Sequence, residues 1–224
     1  MRAMILAAGR GERLRPITDS IPKPLVEVGG KPLLHWHLLK LKRAGISDII
    51  INSAYLSERI VENIGDGSAF GVKVTHSVEG SLGLETAGGI IKALPFFEGE
   101  DFLVVNGDTF IDADYSQFLK PLKDGMQARL YLVNNPKHNA KGDFSLLDSG
   151  LCVRGDDYTF SGAALYSSHG FEGKDVQREP LLPYFELWSE KKIMEGAILD
   201  GNWFDVGTIE RLKQVNEYLA SSLK

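Results

Sequence analysis

Four short apolar runs separated by stretches of helical periodicity constrain this chain more than any other feature. "AMILAA" (3–8), "DIIINSAY" (48–55), "VKVTHS" (72–77) and "DFLVVNGD" (101–108) are rich in strand-forming residues. Between them lie "PLLHWHLLKLKRAG" (32–45), closed by Gly45, then "LSERIVENIG" (56–65) and "TAGGIIKAL" (86–94), each with apolar residues at helical spacing. Strands that are almost continuously apolar and alternate with helices predict an α/β protein with a mostly parallel sheet covered on both faces. The second half changes character: "ARLYLVNN" (128–135), "FSLLDSGLCV" (144–153) and "YTFSGAALYS" (158–167) read as strands joined by Gly/Asp turns, a mixed or antiparallel extension of the sheet. "EPLLPYFELWSEKK" (179–192) predicts a helix after its prolines. A last helix is expected over 208–223, opened by Thr208 with Glu210 in its first turn.

With 224 residues, 43% of them hydrophobic, and no linker or repeat, one substantial core in a single domain is expected. The formal charge of -5 gives no basic footprint, so nucleic acid is not an expected partner and the cations near the start act locally. Cys152 is the sole cysteine, which excludes an intramolecular disulfide and a cysteine-clustered zinc site and suggests a reducing compartment. The run from Ala3 to Ala8 is too short for the hydrophobic region of a signal peptide, and no stretch approaches the roughly 18 apolar residues of a membrane span. A cytoplasmic protein without membrane partners is the expectation.

Open parallel sheets bind ligands beyond the carboxyl ends of their strands. After the first run stand Gly9, Gly11, Arg13, Arg15 and Lys23, in "LAAGRGERLRP" (6–16) and "PKPL" (22–25). Backbone N–H groups that can approach closely, followed by fixed cations, suit phosphate; a tight strand-to-helix turn with solvated arginines is the alternative. A dinucleotide fingerprint needs a small residue where Leu14 stands, and a P-loop needs a Gly-Lys-Ser/Thr that this segment lacks. Asp108 ends an apolar run and Asp205 lies in "GNWFDVGT" (201–208). Two such carboxylates suit Mg²⁺ bridging to phosphates, while either alone could be a turn former or helix cap. Asp112 and Asp114, spaced like a metal motif, read instead as the acidic start of a helix. His35 and His37 are two apart on a helix and point to different faces, which does not make a metal pair.

Taken together, "LAAGRGERLRP", "PKPL", "NGD" (106–108) and "WFDVGT" (203–208) resemble the sugar-1-phosphate nucleotidyltransferase family across essentially the whole chain. Within it, "LETAGG" (84–89), "KGDFSL" (141–146) and "TFSG" (159–162) are most similar to bacterial uridylyltransferases of peptidoglycan recycling that act on N-acetylmuramate 1-phosphate. The resemblance implies a Rossmann-like mixed, mostly parallel central sheet flanked by helices, with residues 1–110 mainly binding nucleotide and 111–224 mainly binding sugar. It implies UTP and N-acetylmuramate 1-phosphate as substrates, the alternative being the same reaction with another sugar 1-phosphate or phosphocholine and with dTTP, GTP or CTP, together with Mg²⁺ as cofactor and a monomer. Ala8, Gly9 and Gly11 would pack on the nucleotide, Arg13 would meet the triphosphate, and Lys23 would reach the transferred phosphate. Asp108 and Asp205 would hold the metal. Glu79 and the backbone of Glu85, Thr86 and Ala87 would read the base, and Asn52, Asp143, Ser161 and Gly162 would face the sugar. Common relatives have Gly-Thr-Ala-Gly where this chain has Glu85-Thr86-Ala87-Gly88, so their sugar pocket does not transfer. A loop with Lys137, His138 and Lys141 either reads the lactyl carboxylate of muramate or is solvated.

Overall fold

The computed structural model describes residues 1–222. Its elements in chain order are β1 (Arg2–Leu6), β2 (Glu27–Val28), β3 (Lys31–Pro32), α1 (Leu33–Arg43), β4 (Asp48–Ser53), α2 (Ser57–Ile64), β5 (Lys73–Val78), α3 (Glu85–Phe97) and β6 (Phe102–Asn106). There follow β7 (Thr109–Asp112), β8 (Ala128–Asn134), β9 (Phe144–Leu146), β10 (Cys152–Arg154), β11 (Tyr158–Tyr166), α4 (Leu182–Glu190), β12 (Met194–Ile198), β13 (Asn202–Asp205) and α5 (Ile209–Ser222). Leu223, included in the expected last helix, lies outside the described residues. The elements gather into two compact units that interleave along the chain. One holds Ala3–Gly83, Asn106–Ser116 and the segment from Gly201 onward; the other holds Met1–Arg2, Leu84–Val105 and Gln117–Asp200.

In the first unit β1, β4 and β5 pair in parallel, with Leu6 opposite Asn52 and Asn52 opposite Ser77. β1 and β4 are apolar on both faces, as the sequence predicts, and Met4, Ile5, Ile49 and Ile51 are fully buried, whereas β5, the last strand in the sheet order, departs from that expectation by alternating, burying Val74 and exposing Lys73 and Thr75. Helix α1 buries Leu33, Leu34, His37, Leu38 and Leu41, one stripe at helical spacing, and carries Lys40, Lys42 and Arg43 in its last turn, where cations suit the helix dipole. Gly45 follows it at φ 86. A second cluster binds the rest of the unit: Val28, Leu33, Phe110, Val206 and Val215, packed with Trp36, Phe204 and Leu219. It ties α1 and the β2–β3 hairpin to a ribbon of β7 and β13 and to α5. "DADYSQFLK" departs from expectation here. Asp112 ends strand β7, bound by Lys40 Nζ at 3.3 Å and the Tyr218 hydroxyl at 2.6 Å; only Asp114 behaves as a cap, accepting the Ser116 N–H at 2.9 Å ahead of a short 3-10 turn.

The second unit is mixed. β11 lies antiparallel to β6 and β8, β12 runs parallel to β8, and β9 pairs with β10. The expected strand over 144–153 is two strands, because Asp148-Ser149-Gly150 turns the chain, with Gly150 at φ 83 donating to the Leu147 carbonyl. Helix α3 continues through Pro95 to Phe97, whose ring stacks on Phe102 at 3.8 Å. Helix α4 is shorter than the expected 179–192, starting at Leu182 with Pro183 in its first turn. Across β8 and β12, Arg129 and Glu195 form a buried ion pair, and the guanidinium also donates to the Lys120 and Pro121 carbonyls.

Candidate active site

The glycine loop, the cations and both aspartates expected to hold metal fall in the first unit. The chain leaves β1 at Ala7, whose N–H donates to Asn52 Oδ1 at 2.9 Å; Asn52 Nδ2 in turn donates to Glu79 Oε1 at 2.8 Å. Asn52 is 1% exposed and Glu79 5%, so this bridge from the ends of β4 and β5 fixes where the loop begins. Gly9 is exposed, and a methyl group there would meet nothing, so its backbone is open to close approach from solvent. Gly11 is different. At φ 67 it occupies the left-handed region, and an added Cβ would lie 2.9 Å from Lys23 Cβ and 3.0 Å from Thr18 Cγ2. Thr18 closes the loop by donating its hydroxyl to the Gly11 carbonyl at 2.8 Å.

Lys23 therefore runs beneath the loop. It is 6% exposed, and its Nζ donates to Asp108 Oδ2 at 2.6 Å. Such a short charge-assisted contact holds the ammonium in one place. Gly107, just before Asp108, donates to the Leu6 carbonyl at 2.8 Å, and a Cβ there would press on that same oxygen. Glycine at this position lets the β6–β7 turn sit against the end of β1.

Asp205 arrives from almost a hundred residues further on by strand pairing. β13 lies antiparallel to β7 with Asp205 opposite Thr109, and the Val206 N–H donates to the Asp108 carbonyl at 3.2 Å. The two aspartates are thus neighbours on one ribbon. Asp205 Oδ2 is held by Arg211 NH1 at 3.0 Å. Under the ribbon, His37 donates from Nε2 to the Thr109 carbonyl at 2.8 Å, since a carbonyl only accepts, and Nδ1 accepts from the Tyr115 hydroxyl at 2.8 Å. Burial lowers the His37 pKa from 6.5 to about 4, so the ring is neutral and rigidly placed.

Arg13 is exposed in a single 3-10 turn (Glu12–Leu14), turned to solvent with Arg10, which lies over Tyr55, and Arg15, which pairs with Asp19 at 3.2 Å. Ala8 is half-buried between the Ala7 anchor and Gly9. Asp108 and Asp205 supply hard oxygen donors of the type Mg²⁺ prefers, one in the turn that leads into β7 and one at the end of β13 beside it, each with a cation on one side; they fit such a metal. Among the described residues no group of three or more His, Cys, Asp or Glu is placed to hold a metal ion.

The other expected residues belong to the second unit. Glu85 takes a left-handed backbone at φ 57 and pairs with Arg178 at 2.8 Å. Thr86 and buried Ala87 follow in the first turn of α3, where Gly88 donates to the Glu179 carbonyl at 3.1 Å. A Cβ on Gly88 would strike the Gln177 carbonyl, so residues 177–179 lie directly across the start of α3. Asp143 accepts from Phe160 N at 2.9 Å and Asn139 Nδ2 at 3.1 Å, which fastens the 135–143 loop to β11. Buried Ser161 and Gly162, at φ 82, form the irregular step in β11. Lys137, His138 and Lys141 are exposed. Arg211 was not singled out from sequence. Its signal was an arginine in the first turn of α5, where the helix dipole disfavours a cation.

A family model described as Nucleotidyl transferase matches residues 2–144. The chain is 48% identical over 222 residues to the N-acetylmuramate alpha-1-phosphate uridylyltransferase of Neisseria meningitidis serogroup B, covering 96% of each protein. It is 32% identical to a D-glycero-alpha-D-manno-heptose 1-phosphate guanylyltransferase of Aneurinibacillus thermoaerophilus, covering 98% of each. Among solved structures, HddC from Yersinia pseudotuberculosis superposes with a TM-score of 0.80 over 97% of this chain and 99% of that one, at 24% identity, which shows a shared fold.

Proposed function

The chain belongs to the nucleotidyl transferase family, and on that premise we propose that it transfers UMP from UTP to N-acetylmuramate 1-phosphate, releasing pyrophosphate. The placement of Lys23, Asp108 and Asp205 together at the mouth of an exposed glycine loop carries the reaction class. The extensive identity to the Neisseria enzyme supports the substrate pair.

The chemistry needs no protein base. A sugar 1-phosphate, with a second pKa of about 6, is already an anionic nucleophile near neutral pH. One of its oxygens attacks the α-phosphorus of UTP, the bond from that phosphorus to the bridging β-oxygen breaks, and the electron pair leaves on pyrophosphate. The obstacle is charge: two anions must meet, and the leaving group gains more. Lys23, immobilised by Asp108 and by the loop above it, sets a positive charge at a fixed point for the transferred phosphate. Arg13 meets the triphosphate, and the N–H groups around Gly9 line the backbone turn. Asp108 and Asp205 would hold Mg²⁺, which when bound neutralises phosphate oxygens and orients them for in-line displacement. In the second unit, the start of α3 with Glu85, Thr86 and Ala87 serves base recognition, and the Asp143 and Ser161–Gly162 segments serve the sugar. With a cytosolic nucleotide and a cell-wall sugar as substrates, the reaction belongs to cytoplasmic peptidoglycan recycling.

A panel of UTP, dTTP, GTP and CTP against the 1-phosphates of N-acetylmuramate, N-acetylglucosamine, glucose and mannose tests this by pyrophosphate release. UTP with N-acetylmuramate 1-phosphate is expected to be preferred. dTTP should follow, since one methyl group discriminates by only ~1–3 kcal/mol. Rapid turnover of another pair while this one is inert would refute the reading.

A further inference from the structure

Arg211 is expensive where it stands. It lies in the first turn of α5, against the helix dipole. Its side chain is only 12% exposed, and its Nε is buried with no hydrogen-bond partner. It also dictates a glycine: a Cβ on Gly207 would lie 2.2 Å from Arg211 NH2 and 2.9 Å from Asp205 Oδ1. Thr208, the cap of the helix, accepts the Arg211 N–H through its hydroxyl at 3.3 Å and so places the residue. Against these costs stands one ion pair with Asp205 at 3.0 Å. A single ion pair at a partly open site contributes little to stability. Local rules broken together mark a functional position rather than a structural one.

Charge shows what the position does. At the end of the ribbon that holds the two aspartates, Asp108 is paired with Lys23 and Asp205 with Arg211, so these four side chains carry no net charge; further along, Asp112 has its own partner in Lys40. Free divalent cations are drawn to sites with surplus negative charge, and these two pairs offer none. We propose that Arg211 is a built-in counter-cation that occupies Asp205 and keeps affinity for free Mg²⁺ low, so that the metal enters together with the triphosphate, whose negative charge outweighs Lys23 and Arg13. This rests on the proposed metal role of Asp108 and Asp205. It adds an order of events: the empty protein is not loaded with metal, and Arg211 sets that order as a positioning residue.

The test is Mn²⁺ binding followed by electron paramagnetic resonance of the free ion, without turnover. It compares the whole protein, Arg211→Met, Arg211→Gln and the charge-keeping Arg211→Lys, each with and without a non-hydrolysable UTP analogue. A unit charge across one carboxylate from a divalent ion is worth about tenfold even under water-like screening. Arg211→Met and Arg211→Gln should therefore bind Mn²⁺ about tenfold more tightly without nucleotide, while Arg211→Lys stays near the unaltered protein. The analogue should raise Mn²⁺ affinity most in the unaltered protein and Arg211→Lys. Equal or weaker binding by folded Arg211→Met and Arg211→Gln would overturn the role of Arg211 while leaving the metal site in place. No Mn²⁺ binding by any form, even with the analogue, would overturn both.

Discussion

His37 makes the ribbon that carries the aspartates sensitive to acid, and the size of that sensitivity follows from its surroundings. The ring is 1% exposed, donates to the Thr109 carbonyl and accepts from the Tyr115 hydroxyl. Protonation would place a new charge out of reach of water and reverse the Tyr115 bond, taking away the acceptor its hydroxyl proton uses. Burial is the main cause of the drop in pKa from 6.5 to about 4, opposed by the bond to Thr109 and the charge on Asp108 and reinforced by Lys40. In the unfolded chain the imidazole takes up its proton near 6.5; in the folded protein it resists until about 4. A base whose pKa is depressed by folding contributes its full stability above the unfolded value, and that contribution drains away as pH falls from 6.5 to about 4. The gap is worth about 3 kcal/mol. Urea unfolding of the unaltered protein and of His37→Leu at pH 7.5 and 4.5 isolates it, because carboxylates elsewhere titrate alike in both. His37→Leu should be the less stable at pH 7.5, having lost the bonds to Thr109 and Tyr115, and should lose about 2–3 kcal/mol less than the unaltered protein on acidification. Parallel losses in the two proteins would refute a neutral buried ring.

Three further substitutions bear on the loop and on the second unit. Gly11→Ala should cost about 1–3 kcal/mol in urea unfolding, from the left-handed backbone and the overlap with Lys23, and should lower activity with it; an unchanged midpoint would remove the loop's claim to a fixed shape. Lys23→Met should depress kcat far more than it weakens UTP binding, because its charge acts most strongly on the transition state; equal effects on both would make it a simple binding residue. Arg129→Met should destabilise by about 3 kcal/mol by stranding Glu195, with only the exposed Lys123 at 3.3 Å as partner, and Glu195→Leu in the same chain should restore most of that stability. A double variant as unstable as the single one would contradict that account.

The parallel core was legible because its signal is local. Apolar runs at 3–8, 48–55, 72–77 and 101–108 became β1, β4, β5 and β6, and the glycine and proline punctuation placed α1 to within a residue or two. Thr208 and Glu210 likewise located α5. Elements shorter than their periodicity escaped. The β2–β3 hairpin has two residues on each side of Gly29 and Gly30, both at positive φ, so only the glycine pair could have announced it. β12 and β13 are held by partners far away in sequence, and nothing within "NWFD" specifies pairing with β7. Asp108 and Asp205 could be named from chemistry, but their adjacency is a product of that register. Asn52 and Asp143 show the opposite limit. Asn52 was read from its place after the second apolar run and Asp143 from the resemblance alone, while only the structure shows their side chains engaged with Ala7, Glu79, Asn139 and Phe160.

The central claim is that Asp108 and Asp205 act as one unit in nucleotidyl transfer. It is tested most directly by pyrophosphate release from UTP and N-acetylmuramate 1-phosphate at ordinary Mg²⁺, measured for Asp108→Asn and Asp205→Asn with circular dichroism confirming each fold. Each variant should lose several kcal/mol of transition-state stabilisation, a fall of at least about a thousandfold, and the double variant should lose little more than either one. Near-normal rates in both folded single variants would contradict the account.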